Sequence, residues 1–110
     1  MSARRTELLK GTLDLLILRT LELQPMHGVA IADRIFQSTR GTFHVKPGSL
    51  FPALHRLEQE GWIAGEWQQS SGTRRVKSYA LTKAGRRQLA NEKATWQRIV
   101  VAMGLALEST

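Results

Sequence analysis

A hairpin-like segment interrupts an otherwise helical sequence. Residues 62–69 and 74–81 are rich in types that favour β-strands, and the Ser-Ser-Gly-Thr segment at 70–73 forms a turn of hairpin length. The segments before and after this region repeat their apolar residues at helical spacing. The sequence therefore predicts a mainly α-helical domain with one small antiparallel β-hairpin.

Three helices are predicted ahead of the hairpin. Apolar residues recur at helical spacing over 8–23, and Pro25 ends that pattern. A second helical face covers residues 28–39, and the short run 42–45 favours a β-strand. Residues 47–60 form the third helix, which begins with a proline at a position that accepts one. Its core-facing side chains are expected to be Leu50, Ala53, Leu54 and Leu57.

A long helix is predicted after the hairpin. Thr82 is suited to cap its N-terminus, and the helix continues from Lys83 to about residue 107, a length of roughly 38 Å. Three helices, a hairpin and a terminal helix are the element order of a winged helix-turn-helix, whose third helix enters a DNA groove. We expect a DNA-binding unit over residues 1–82 and a dimerisation helix over 83–110.

The positive charge is concentrated in one part of the chain. Of the net charge of +7, residues 70–88 contribute +6, since they hold six bases and no acid. A local excess of this kind suits a polyanion, whose phosphates contribute affinity through counterion release. A solvated surface that only maintains solubility is the alternative interpretation. A helical bundle with an incidental hairpin is the alternative fold, but it would leave this charge distribution unexplained.

Enzymatic function finds no support in the sequence. The 110 residues suffice for one compact domain, and the absence of cysteine excludes disulfides, thiolate metal sites and a cysteine nucleophile. The histidines His27, His44 and His55 lack metal-ligand spacing, and no phosphate-binding glycine loop or nucleophile elbow occurs. Glu58 and Glu60 resemble surface acids rather than an acid–base pair. We expect no catalysis, no cofactor and no metal.

Membrane insertion is not expected either. The longest apolar stretch, residues 99–107, is nine residues long, whereas a membrane span needs about 20. The opening residues lack the apolar region of a signal peptide, so we expect a cytoplasmic location.

Several segments of the sequence are together distinctive of one protein family. They are Gly11-Thr-Leu-Asp-Leu-Leu-Ile-Leu18, Pro25-Met-His-Gly28, Gly48-Ser-Leu-Phe-Pro-Ala-Leu-His-Arg-Leu-Glu-Gln-Glu-Gly-Trp-Ile63, Arg74-Arg-Val-Lys77 and Tyr79-Ala-Leu-Thr-Lys-Ala-Gly85. In this order they resemble the PadR family of bacterial transcriptional regulators, in its short form with a single C-terminal helix. The resemblance implies a dimeric winged-helix repressor of a nearby gene, sometimes released by a small aromatic ligand.

Three positions depart from the family pattern. Val29 and Phe51 stand where tyrosine is common, and Ser78 replaces a common aromatic residue. Because phenylalanine lacks a hydroxyl that could donate to phosphate, any contact of Phe51 with DNA is expected to be van der Waals contact with sugar or a thymine methyl.

The exposed side of the third helix supplies the first candidates for DNA contact. Lys46, Ser49 and His55 surround its N-terminal half, where free backbone amides attract phosphate oxygens. Gly48 and Pro52 would let the backbone approach DNA closely. The alternative is that Ser49 only caps the helix and that His55 is an ordinary surface residue.

Basic residues of the hairpin supply the second group of candidates. Arg74, Arg75 and Lys77 lie beside a glycine turn and are expected to have no acidic partner nearby, so they are expected to bind an external anion. Arg56 on the third helix is as well placed to pair with Glu60 as to contact DNA. Bases at the start of the last helix, Lys83, Arg86 and Arg87, are weaker candidates because they oppose the helix dipole.

An apolar stripe on the last helix predicts a homodimer. Residues spaced by seven, four, three and four positions form a coiled-coil-like seam: Leu89, Trp96, Val100, Met103 and Leu107. Val101 and Leu105 lie opposite, so this end of the helix is too apolar for a monomer. Folding back onto the chain's own core is the alternative. Trp96 is a candidate for binding a small aromatic ligand, against the alternative that it only packs, and Trp62 and Trp67 are expected to cover the core.

Two other function classes remain open at this point. A winged helix is also able to bind an acidic partner protein through its basic hairpin, or to bind DNA without sequence preference as an architectural protein. A large preference for operator over scrambled DNA, measured at low and high salt, would separate a specific regulator from both.

Overall fold

The computed structural model describes residues 10–69, 72 and 74–109. In chain order the elements are α1 (Lys10–Leu23), β1 (Met26–His27), α2 (Gly28–Ser38), α3 (Pro47–Gln59), β2 (Ile63–Gln69), β3 (Arg75–Leu81) and α4 (Lys83–Glu108). This mainly helical fold with a small antiparallel sheet confirms the predicted class. The predicted start of the first helix, with Leu9, and most of the turn at 70–73 lie outside the described residues.

The core lies between α1, α2, α3 and the base of the sheet. Its fully buried side chains include Ile17 and Leu18 of α1 and Ile31 and Ile35 of α2. The four residues predicted to form the inner face of α3 are all buried, which confirms that prediction. Burying an aliphatic side chain of this size contributes about 1.5–3 kcal/mol, so the helical repeat itself fixes which face of α3 remains outside.

The sheet has three strands in the order β1-β3-β2 rather than the two that were predicted. Met26 pairs with Tyr79 and His27 with Ser78, both antiparallel. Two residues are too short to show a period of two, so the sequence pattern missed β1. Residues 42–45 form no strand, contrary to expectation, because their apolar side chains serve packing: Val45 is buried in the core.

The hairpin of β2 and β3, residues 63–81, is called the wing here. Its inner face begins in the core, where Ile63 and its neighbour on the opposite strand, Leu81, pack under α3. Farther out, the same face carries Trp67 opposite Lys77. Trp67 is 56% exposed, so the expectation that it covers the core is wrong: the strand extends beyond the core. Trp62 does pack against the core.

The start of α4 is fixed to the rest of the domain. The Thr82 hydroxyl accepts a hydrogen bond from the Gly85 amide (3.0 Å) and donates one to the Gly61 carbonyl (2.6 Å), which confirms the predicted cap. A Cβ on Gly85 would collide with the Trp62 carbonyl. Leu89, one turn later, is only 2% exposed. Its assignment to an intermolecular seam is therefore wrong, because it packs into the chain's own core.

Beyond Leu89 the helix leaves the domain. Every described residue from Lys93 onward is exposed, and the molecule is correspondingly elongated, with extents of 61 × 33 × 21 Å. Among the described residues, no helix has the length and apolar character that crossing a membrane requires.

Candidate nucleic-acid interface

The N-terminal half of α3 presents an exposed surface. Residues predicted to contact DNA are all exposed there: Lys46, Gly48, Ser49, Phe51, Pro52 and His55. Lys46 is the N-cap residue and makes no side-chain cap hydrogen bond. The alternative interpretation of Ser49 as the cap is therefore wrong. The amides of this first turn lie at the positive end of the helix dipole, which suits an anion.

Contacts behind this surface hold α3 in place. Arg56 forms an ion pair with the buried Asp14 of α1 instead of the pair with Glu60 that the sequence offered as one alternative. The Phe51 ring lies over the start of α2, where a Cβ added to Gly28 would be 2.8 Å from its Cε1 atom. Phe51 is nevertheless 44% exposed and keeps one side open to a ligand.

The wing brings a second basic surface beside α3. Arg74 and Arg75 are exposed and form no ion pair with any acid in the described part of the chain. The Arg75 guanidinium lies over the Trp67 ring, 5.1 Å from its centroid. This contact directs the cation along the inner face of the wing while leaving its charge unneutralised.

Lys77 has a different environment from the two arginines. Its Nζ donates a hydrogen bond to Glu58 Oε1 of α3 at 3.0 Å. This hydrogen bond raises the pKa of Lys77 above its ordinary value, with partial desolvation acting in the opposite direction. The expectations that Lys77 lacks an acidic partner and that Glu58 is only a surface acid are both wrong. No local spacing indicates this pair, because 19 positions separate the two residues.

A groove of about 430 Å³ separates the wing from α3 and the start of α2. Four of the predicted DNA-contact residues line it: Phe51, His55, Arg75 and Lys77. The other five, Lys46, Gly48, Ser49, Pro52 and Arg74, lie outside the groove lining. The groove also includes residues that sequence reasoning did not select, namely His27, Val29, Glu58, Trp67, Val76 and Tyr79. The alternation of β2 and β3 is the signal that could have placed Trp67 beside Lys77.

The exposed end of α4 forms a separate apolar surface. Four of the five predicted seam residues are exposed: Trp96, Val100, Met103 and Leu107. Ile99, Val101 and Leu105 are exposed beside or opposite them. So many large apolar side chains on one projecting helix are unusual for a monomer, because patches of this kind generally mark an interface.

The described residues contain no group of three or more histidine and acidic side chains arranged to hold a metal ion.

The bases at the start of α4, Lys83, Arg86 and Arg87, are exposed on the helix that follows the wing.

Comparisons with known proteins agree with this geometry. A model of the transcriptional regulator PadR-like family matches residues 17–91. The chain is 33% identical over 75 residues to "Transcriptional regulator Rv3488" of Mycobacterium tuberculosis, across 67% of this chain and 65% of that protein.

Solved structures extend the similarity to the fold. A PadR family transcriptional regulator from Eggerthella lenta superposes with a TM-score of 0.80 at 30% identity, covering 92% of this chain and 86% of that one. A PadR family regulator from Clostridium difficile gives a TM-score of 0.73 at 34% identity, covering 86% and 96% of the two chains.

Proposed function

The chain belongs to the PadR-like family of transcriptional regulators, and we propose that it is a homodimeric repressor that binds a two-fold symmetric operator beside the gene it controls. Members of this family are DNA-binding regulators and not enzymes. The observation that carries the proposal is that the exposed N-terminal half of α3 and the wing, with its exposed Arg74 and Arg75, lie on the two sides of one groove.

In the proposed complex, α3 enters the major groove, which is about 12 Å wide and admits a helix. Ser49 and His55 read base edges, and Lys46 contacts a phosphate. Gly48 and Pro52 allow the helix to approach closely, and Phe51 makes van der Waals contact with a sugar or a thymine methyl.

The wing contacts the neighbouring backbone in the same complex. Arg74 and Arg75 bind phosphates or enter a narrow minor groove. The groove between the wing and α3 receives one strand of the duplex, because α3 binds in the major groove on one side of that strand and the wing binds on its other side. Its basic and aromatic lining, with Arg75 over Trp67, suits a sugar–phosphate backbone.

Two copies join through the exposed end of α4 in this proposal. Trp96, Val100, Met103 and Leu107 form a self-complementary seam, and a two-fold axis through it presents two α3 helices to half-sites about one helical turn, roughly 34 Å, apart. We thus assign DNA binding to residues 1–82 and assembly to residues 83–110, with Leu89 as an exception that belongs to the core.

A small aromatic effector at Trp96 is a further part of the proposal. Trp96 is 43% exposed beside the other apolar side chains of this helix end, so a planar ligand could stack on its ring between two copies. Packing alone is the competing role. Binding of a planar aromatic compound, measured by isothermal titration calorimetry and lost in Trp96→Leu while the dimer persists, would support the effector site.

A selection experiment tests the function itself. The full chain is allowed to select duplexes from a random pool, and its affinities for the selected duplex and a scrambled version are compared at 50 mM and 200 mM salt. A repressor keeps a preference on the order of a thousandfold or more at both salt concentrations. Equal affinities that both fall with salt indicate an architectural DNA binder, and no binding to DNA favours the acidic-protein partner.

A further inference from the structure

An ion pair connects the wing to α3 outside the apolar core. Lys77 Nζ lies 3.0 Å from Glu58 Oε1, and the two side chains are 26% and 30% exposed. The same nitrogen lies 5.5 Å from the Tyr79 ring centroid and 5.7 Å from that of Trp67. The ammonium group is therefore held between a carboxylate of α3 and two aromatic rings of the wing.

Gly65 provides the space for this pair. It lies on β2 directly opposite Tyr79, on the inner face of the wing. A Cβ at this position would be 3.0 Å from Glu58 Oε2 and 3.2 Å from Tyr79 Cε1, and it would collide with the Lys77 side chain. Any larger residue at position 65 would push the lysine away from the carboxylate.

The ion pair lies beyond the base of the wing, where it restrains the angle between the wing and α3. At the base of the wing, Ile63 and Leu57 pack in the core, and the Trp62 amide donates to the Leu57 carbonyl. The Lys77 side chain leaves β3 opposite Trp67 and meets Glu58 beside Gly65, which is two residues, or about 7 Å, beyond Ile63 along the strand. A contact beyond the base restrains the tilt of the wing more than one at the base.

We propose that Glu58, Lys77 and Gly65 are positioning residues that set the angle between α3 and the wing, and thereby restrict binding to duplexes that meet both elements at once. This inference rests on the proposed DNA-binding function. It also assigns to Lys77 a role distinct from that of Arg74 and Arg75, because its charge is directed at α3 and not at a phosphate.

Replacing Glu58 separates positioning from simple electrostatics. Glu58→Gln removes a negative charge beside the groove, so long-range attraction alone predicts tighter binding to every duplex. Positioning predicts a loss of preference instead, because the wing no longer holds one angle. Lys77→Met removes the ammonium and keeps the alkyl chain on the rings, whereas Lys77→Arg keeps a donor for Glu58.

Gly65→Ala tests the same contact without changing any charge. The added methyl group displaces the end of the flexible lysine side chain, so the fold is expected to tolerate it. Gly11→Ala on α1 is the matched control, because nothing lies within 4 Å of a Cβ at that position.

The angle between the wing and α3 can be measured in the free protein with spin labels. Because the chain contains no cysteine, labels attach only at cysteines that are introduced for this purpose. Nitroxide labels on Gln59→Cys in α3 and Gln68→Cys in the wing, both exposed positions, report the separation by pulsed electron paramagnetic resonance. Labelled chains are diluted with unlabelled ones so that each assembly carries one labelled pair. Circular dichroism confirms that every variant is folded.

The expected distance distribution is narrow in the parent, Gly11→Ala and Lys77→Arg, and broad in Glu58→Gln, Lys77→Met and Gly65→Ala. The preference for the selected over the scrambled duplex falls about tenfold or more in the three broadened variants, with the salt slope unchanged. Glu58→Gln combined with Lys77→Met is no worse than either alone, because both break one contact.

Two results would overturn the inference. One is a distance distribution that stays narrow in all three variants. The other is a narrow distribution together with a salt slope shallower by about one unit in Lys77→Met, which would make Lys77 a phosphate contact. If the distances broaden but the parent prefers no selected duplex, the positioning of the wing stands and the proposed repressor function fails.

Discussion

The two halves of α4 use apolar residues for different purposes. In the first two turns, Thr82 caps the helix, Gly85 lies against the Trp62 carbonyl, and Leu89 is buried in the core. In the second half, Trp96 and Val100 continue the same stripe but are exposed. The apolar repeat of α4 thus packs inside the domain at Leu89 and is exposed from Trp96 onward, where we propose that a second copy covers it.

Removing the second half gives the largest expected effect. Truncation after Lys93 leaves Leu89 and the cap in place, so the winged domain should still fold, but the seam is lost. Two half-sites are then bound independently, and affinity for a two-fold symmetric duplex falls by several orders of magnitude while half-site affinity changes little. Light scattering and binding on both duplexes provide the measurement.

A truncated chain that remains dimeric and binds the symmetric duplex as tightly would contradict this division of the helix. Val100→Asp in the full-length chain is the matched variant, since it places a charge in the proposed seam without shortening the helix.

Leu89→Ala tests the first half. It should destabilise the domain by about 2–5 kcal/mol, because it leaves a cavity in the apolar core. Leu107→Ala, at a position that is 78% exposed, should change the stability of the monomer by about 0.5 kcal/mol or less. Both are measured by denaturant unfolding in the Val100→Asp background, so that dissociation does not contribute. Equal losses at the two positions would remove the distinction between the halves.

The arginines of the wing are expected to contribute to affinity for DNA and not to dimerisation. Arg74→Ala combined with Arg75→Ala should weaken binding to all duplexes alike and make the slope of log K against log salt shallower by about one to two units. The dimer should be unaffected. Lys93→Ala, an exposed charge on α4, serves as the control and should leave the slope unchanged. An unchanged slope in the double variant would move the DNA surface elsewhere.

Base reading by α3 is expected to behave differently from the wing. Ser49→Ala or His55→Ala should change the ranking of selected duplexes. Equal losses on selected and scrambled DNA would count against their contact with bases.

Much of the fold followed from the sequence because periodicity decides which residues share a face. Leu50 and Leu57 were placed in the core by spacing alone, and the exposed side of α3 followed. Leu89 was misassigned because a repeat does not reveal where the core ends. Trp67 was misassigned for the same reason at the wing, where the strand passes beyond the core.

Contacts distant in sequence were not predictable in this way. Asp14 with Arg56, and Glu58 with Lys77, join different elements, so no local spacing indicates them. β1 was missed because a two-residue strand is defined only by its partner, β3. The exposure of the α3 residues and of the wing arginines was thus predictable, whereas the internal pairing of Lys77 was not.

The smallest expected effect is at the N-terminal cap of α4. Thr82→Ala removes the acceptor for the Gly85 amide and should cost about 1 kcal/mol of stability, while Thr82→Ser keeps the hydroxyl and should cost less. Thermal unfolding of the two variants in the Val100→Asp background provides the measurement. Equal behaviour of alanine and serine would show that the cap does not secure the start of α4.

Hydrogen exchange along α4 tests most directly whether its two halves have different partners. In the parent chain, amides near Leu89 and amides between Trp96 and Leu107 should both be protected, the former by the core and the latter by a second copy. In Val100→Asp, protection should disappear from the second stretch only. Protection retained at 96–107 in that variant, or lost equally from both stretches, would show that the second half of α4 is not protected by a second copy.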